Sequence, residues 1–154
     1  MRRFQSKFEA IIDTCKDLLS DRAIIEKDFS SNQTVFSADL LITDWSSIGY
    51  EYALATKKPV LFIDTPMKIV NPQMEAIEHD TEPFDLQMRK ILGISLLPEQ
   101  VEEEGVCAAQ KLLDQRALYS DIIEQVRQDH IYNFGESGKY AASYILNSLK
   151  GRKK

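Results

Sequence analysis

Two adjacent serines, Ser46 and Ser47, follow a short apolar run and the polar exit Thr43-Asp44-Trp45. Leu40-Leu41-Ile42 reads as a buried strand, and residues 47–57 read as a helix that stops before Pro59. Thr43 to Ser47 therefore sit where a strand ends and a helix begins. In an open parallel sheet, ligands bind there, outside the carboxyl ends of the strands. A helix start also offers backbone N–H groups that lack intrahelical acceptors, and the positive end of the helix dipole, so it favours an anion. Ser46 and Ser47 add hydroxyl donors with little bulk, which lets a phosphate group approach closely. The same residues have a purely local use, in which Asp44 or Ser46 simply caps the helix. Residue type and spacing leave both uses open.

Other reactive side chains are few. His79 follows Glu78 in an expected loop, and His130 precedes a glycine-containing break; both are expected to be surface or packing residues. No His/Asp/Glu cluster has metal-ligand spacing, so neither a metal nor a cofactor is expected. Cys15 and Cys107 are far apart and form no CxxC. Cys15 lies on an apolar helical stripe and is expected to be a buried thiol, and this cysteine usage suits a reducing cytoplasm.

The elements that must hold the 43–47 turn follow from periodicity. Phe4, Phe8, Ile11, Ile12, Cys15, Leu18 and Leu19 give one face of a helix that ends near Asp21. Ala23-Ile24-Ile25-Glu26 is a short strand candidate, and Ser30 and Ser31 can cap a short helix through about Ser37. Val60-Leu61-Phe62-Ile63 is apolar without alternation, as expected of a strand covered on both faces. Strand, helix and strand joined this closely make a βαβ unit, so the fold class is α/β: a Rossmann-like parallel sheet flanked by helices. Thr65 to Pro72 carries two prolines and reads as a loop, followed by a partly helical stretch toward Arg89. Leu92-Gly93-Ile94-Ser95-Leu96 is a last short strand, and Pro98 opens a helix with an acidic first turn. Two helices follow, bearing Leu112, Leu113, Leu118, Ile122, Ile123 and Val126. A break at 133–138 leads into a final helix with Tyr140, Tyr144, Ile145 and Leu149. One domain over 1–150 with a basic tail at 151–154 is expected.

Composition narrows the function classes. The chain has 154 residues, 44% hydrophobic and 28% charged, an ordinary globular balance. A domain of this size buries roughly 68–70% of the surface its unfolded chain exposes, enough for a core without disulfides or metals. Nineteen Lys+Arg against twenty-four Asp+Glu give a net charge of −5, with a pI near 5.1. A nucleic-acid binder that neutralises many phosphates shows a basic excess, so that class is set aside. The apolar runs at 59–63 and 91–97 are too short to span a bilayer. A cytoplasmic chain is expected, with any membrane contact peripheral.

The run SADLLITDWSSIGYEYALATKKPVLFID resembles the signature segment of the CDP-glycerol glycerophosphotransferase family, the teichoic-acid polymerase and primase group. That segment has a strand, T-D-Y-S-S, a helix with an acidic residue, then K-P and an apolar strand. Glu51 stands where the family often has Asp. YNFGESGKYAASYIL resembles the family's closing element, a glycine-containing turn and a helix. More distantly, the layout is similar to the C-terminal domain of GT-B glycosyltransferases.

The resemblance implies a site and a reaction. Ser46 and Ser47 would hold the diphosphate of a CDP-activated donor, and Thr43 would add a hydroxyl. Asp44 would shape the turn, and Glu51 would accept hydrogen bonds from a ribose hydroxyl. Ser137 and Gly138, with Gly135, would form a second anion-binding turn. For these too a local reading stands beside the functional one: Glu51 as a solvated helix residue, and 133–138 as a helix break. The implied reaction is attack of an acceptor hydroxyl on the donor's β-phosphorus with release of CMP. It needs a base, and neither His79 nor His130 matches a family catalytic position. The family's R-P-H-P strand is not found before the first helix, which opens Met1-Arg2-Arg3-Phe4. The expected role is therefore the donor-binding half of a glycerophosphotransferase-like enzyme, partnered by an acceptor domain of the parent and catalytically incomplete alone. An exposed sheet edge would let two copies pair. A UDP-sugar glycosyltransferase domain and a non-enzymatic α/β interaction module are the alternatives.

Overall fold

A computed structural model describes residues 2–18, 23–26, 33–67 and 82–151. The chain divides into two compact units, Met1–Thr34 and Val35–Lys154. In the first, helix α1 (Arg2–Cys15) continues as a 3-10 turn over Lys16–Leu18. Ile11 on its expected apolar stripe is exposed, and Cys15 is half-buried rather than buried. Among the described residues every buried apolar side chain belongs to the second unit, from Tyr52 to Val126. Residues 23–26 do not form the expected strand; Ala23 makes an isolated bridge. Leu19, Asp21, Ser30, Ser31, His79, the stretch 68–72 and the tail at 152–154 lie outside the described residues, as do the side chains of Phe4, Phe8 and Leu18.

The second unit is built on a parallel sheet. Helix α2 (Gln33–Ser37) leads to β1 (Leu41–Thr43), α3 (Ile48–Thr56) and β2 (Val60–Ile63). Helix α4 (Phe84–Leu92) runs directly into β3 (Gly93–Leu96), then α5 (Val101–Asp114), α6 (Arg116–His130) and α7 (Ser137–Gly151) follow. Among the described residues the sheet order is β1-β2-β3, with Leu41 opposite Val60 and Val60 opposite Gly93. Side chains on a strand alternate between faces. Val60 and Phe62 pack on one side with Tyr52, Ala53, Met88, Leu92, Ile123 and Val126. Leu61 packs on the other with Leu96, Ala108 and Leu112. Two covered faces explain why β2 shows no hydropathic alternation. β1 is less buried than its apolar sequence implies. Helix α5 packs against β2 and β3, and Ile42 on β1 stays 57% exposed.

The connections around α3 are short and chemically determined. Lys57 adopts a left-handed conformation (φ 58°), donates its amide to the Ala53 carbonyl at 2.8 Å and ends the helix two residues before Pro59. Lys58 Nζ donates to the Ala38 carbonyl at 2.5 Å and the Ser37 carbonyl at 3.2 Å, fastening the chain that enters β1. The fully buried Tyr52 hydroxyl donates to the same Ala38 carbonyl at 2.9 Å. Burial, helped by the nearby Asp39 charge, pushes its pKa up to about 12 from 10.0. Between those values the unfolded chain loses this proton while the fold keeps it, so stability falls as pH rises. Urea midpoints should therefore drop from pH 10 toward pH 12, and Tyr52→Phe should flatten that slope. At neutral pH the same change should cost only about 1 kcal/mol, since Lys58 still satisfies the Ala38 carbonyl.

Candidate functional site

The turn between β1 and α3 presents its polar side chains outward. Asp44, Ser46 and Ser47 are exposed, Thr43 and Trp45 are half-buried. The Ser46 amide donates to Asp44 Oδ1 at 3.2 Å, which makes a local Asx turn. The Ile48 amide donates to Ser46 Oγ at 3.4 Å, a long contact for a hydrogen bond. Ser47 stands at the N-cap without bonding the backbone through its hydroxyl; instead it donates to Glu51 Oε1 at 3.2 Å. Four of the expected site residues are thus tied to one another: Asp44 to Ser46, and Ser47 to Glu51. The local use is present, in an Asx turn of ordinary length and one long contact to Ser46 Oγ. Glu51, exposed one turn into α3, keeps acceptor capacity beyond Ser47.

Thr43 and Gly49 let α3 approach the sheet. A Cβ on Gly49 would lie 2.7 Å from a ring carbon of Phe62 and 3.2 Å from the Thr43 methyl. Thr43 therefore forms part of the floor beneath the helix start.

Two residues that the sequence reading passed over organise this end of the sheet. Arg89, on α4, is 3% exposed. Its Nη1 donates to the Asp44 carbonyl at 2.8 Å, and its Nη2 pairs with Asp64, just past the end of β2. The guanidinium carbon lies 3.9 Å from the Trp45 ring centre and 4.4 Å from that of Phe62. Trp45 in turn donates its indole N–H to the Thr65 carbonyl at 2.5 Å. Tyr50 completes the layer, its hydroxyl donating to the Asp85 carbonyl at 3.1 Å; burial raises its pKa against the lowering effect of Arg89. The usable signal for Arg89 was a basic residue in the apolar rhythm Met88-Arg89-…-Leu92, a position that faces the core. Nothing in the sequence pairs it with Asp64.

The closing turn lies elsewhere. Asn133 (φ 55°) and Gly135 (φ 77°) adopt left-handed conformations, and Ser137 Oγ donates to the Asn133 carbonyl at 3.0 Å. Phe134 sits under Arg127, whose Nε and Nη2 donate to the Leu54 and Ala55 carbonyls at 2.5 and 2.8 Å. Those carbonyls belong to the last turn of α3, about 10 Å along the helix from its start. Among the described residues no contact brings Ser137 or Gly138 to Ser46, Ser47 or Glu51. His130 packs against Phe84, with ring centres 5.1 Å apart. Among the described residues no group of three or more His, Cys, Asp or Glu is placed to hold a metal ion.

Residues 10–68 match the family described as CDP-Glycerol:Poly(glycerophosphate) glycerophosphotransferase. Over that stretch the chain resembles glycerophosphotransferases. The matched stretch contains the whole 43–51 site together with Asp64 and Thr65, and ends before Arg89 and the closing turn. The chain is also 26% identical to the teichoic acid glycerol-phosphate primase of Bacillus spizizenii (strain W23) over 141 residues, 90% of this chain. It spans about a third (33%) of the length of that relative. No solved structure matches. The matched family is a transferase family, and the matched stretch includes the carboxyl ends of two parallel strands, β1 and β2.

Proposed function

We propose that the turn Thr43–Ser47, with Glu51, binds the CDP-activated donor of a glycerophosphotransferase, and that the acceptor and the general base come from another part of the parent enzyme. One observation carries this reading: two exposed serines begin α3 at the carboxyl ends of parallel strands, inside the family-matched stretch. The helix start supplies positive potential and replaceable donors to the diphosphate, and Glu51 suits a ribose hydroxyl. Among the described residues Asp44, Glu51 and Asp64 put three carboxylates around the turn, while the Arg89 guanidinium is already paired. The turn therefore recognises the donor by directed hydrogen bonds more than by net charge. In the reaction the acceptor hydroxyl attacks the β-phosphorus, its proton goes to the base, and the bond to the CMP oxygen breaks. Stabilising charge on the departing phosphate is the task of this turn. Among the described residues no helix is long and apolar enough to cross a membrane; a cytoplasmic site, with the parent held peripherally at the membrane, fits this reading.

Calorimetric titration with CDP, CMP, UDP and UMP tests it. CDP should bind, and Ser46→Ala should weaken it about tenfold, the worth of one hydrogen bond to a charged group. Preference for UDP would transfer the reading to a sugar-nucleotide donor. Absence of binding by all four at millimolar concentration would refute a nucleotide site and leave a non-enzymatic interaction module.

A further inference from the structure

Arg89 is a buried cation at the edge of the apolar core, stacked on Phe62. What sets it apart is its set of partners. It joins the exit of β1, through the Asp44 carbonyl, to the exit of β2, through Asp64, and it lies against the face of Trp45. Trp45 is tied onward to Thr65, so four consecutive contacts span the two strand ends.

We infer that Arg89 is the positioning residue of the donor turn: it sets the orientation of the 44–45 peptide and of Trp45, and so the geometry of Ser46 and Ser47, without touching the ligand. This rests on the donor-binding reading above. A trans peptide is planar, so an Asp44 carbonyl held toward Arg89 directs the Trp45 N–H to the opposite edge of that peptide. Each later residue of the turn inherits that orientation: Ser46 N–H points to Asp44 Oδ1, and Ser46 Oγ receives Ile48 N–H. Only a planar, forked cation can serve a carbonyl and a carboxylate at once while stacking on an aromatic ring; a lysine ammonium cannot. At 3% exposure, with both terminal nitrogens engaged, Arg89 is not itself a phosphate ligand.

Trp45 is the single tryptophan of the chain, so intrinsic fluorescence reads this turn alone. Arg89→Lys should move its emission to longer wavelength, increase acrylamide quenching and raise the CDP dissociation constant by about tenfold or more, since misplacement of about 1 Å costs that much or more in positioned sites. Leu112→Val, a core change on α5 in the cluster on the other face of β2, should lower the melting temperature while leaving emission, quenching and CDP affinity as in the wild type. Should Arg89→Lys fail to fold, Arg89→Met combined with Asp64→Asn removes both charges and leaves no buried charge unpaired. The same fluorescence change is expected of it. Wild-type emission and quenching in whichever Arg89 variant folds would overturn the inference. If the wild type binds no nucleotide, the donor reading fails, and the fluorescence arm still decides whether Arg89 positions the turn.

Discussion

Gly93→Ala should cost more than about 4 kcal/mol, a large share of the roughly 5–15 kcal/mol that holds a domain of this kind together. A Cβ built on Gly93 falls 1.7 Å from the Val60 carbonyl oxygen and 2.7 Å from its carbon. Both atoms are backbone, so no rotamer change relieves the clash. Val60 lies opposite Gly93 in the ladder, and β3 must move away from β2 to admit the methyl. That movement takes Leu92 and Leu96 out of the two clusters they fill, one on each face of the sheet. Urea denaturation of purified variants is the measurement. Gly105→Ala on α5 supplies the contrast, because its Cβ meets only a Val101 methyl at 3.5 Å. It should stabilise by about 0.4–1 kcal/mol through helix propensity and the unfolded chain. A Gly93→Ala protein as stable as wild type would mean that β3 does not pair with β2 in this register.

Gly93 also shows where sequence reading of the fold succeeds and where it stops. The run Leu92–Leu96 was legible as a strand because apolar residues between a helix and a proline leave few alternatives, and β1, α3 and β2 were legible for the same reason. Their boundaries fall within a residue or two of those expected. Pairing was not legible in the same way. That Gly93 must be glycine follows from Val60, thirty-three positions earlier, and no local pattern contains that distance. Nor was burial legible in the same way: Ile42 and Cys15 have core-like sequences but stand exposed and half-buried, because apolar character names a preference and only packing satisfies it.

The site divides along the same line. Ser46, Ser47, Asp44 and Glu51 lie within seven positions of one another, so one turn and the start of one helix bring them together. Ser137 and Gly138 were joined to them by resemblance alone, and Phe134 anchors that turn at the opposite end of α3. Arg89 and Asp64 were missed because their partnership crosses twenty-five positions. A buried arginine is recognisable only when its acceptors are known, and two of its contacts are a backbone carbonyl and a ring face.

Gly49→Val should cost above about 3 kcal/mol and should also displace the 43–47 turn proposed to bind the donor, which makes it the most direct link between packing and that proposal. At Gly49 the obstructing atoms are side chains, Phe62 Cε1 at 2.7 Å and Thr43 Cγ2 at 3.2 Å. Phe62 has no exposed surface and is hemmed by Tyr50, 6.1 Å between ring centres, and by the Arg89 guanidinium. It cannot swing aside, so the first turn of α3 lifts from the sheet and carries Ser46, Ser47 and Glu51 with it. Gly49→Ala should show the same effect at smaller scale, about 1 kcal/mol net, because overpacking of about 1–3 kcal/mol is offset by nearly 1 kcal/mol of helix propensity. A double-mutant cycle separates the two terms. Phe62→Leu removes the obstructing ring carbons and should be destabilising alone, yet it should make Gly49→Ala neutral or stabilising, a coupling of at least about 1 kcal/mol. Nucleotide affinity should follow the same cycle, lost in Gly49→Ala and partly restored in the double variant. Additive stabilities would mean that Phe62 does not set the height of α3.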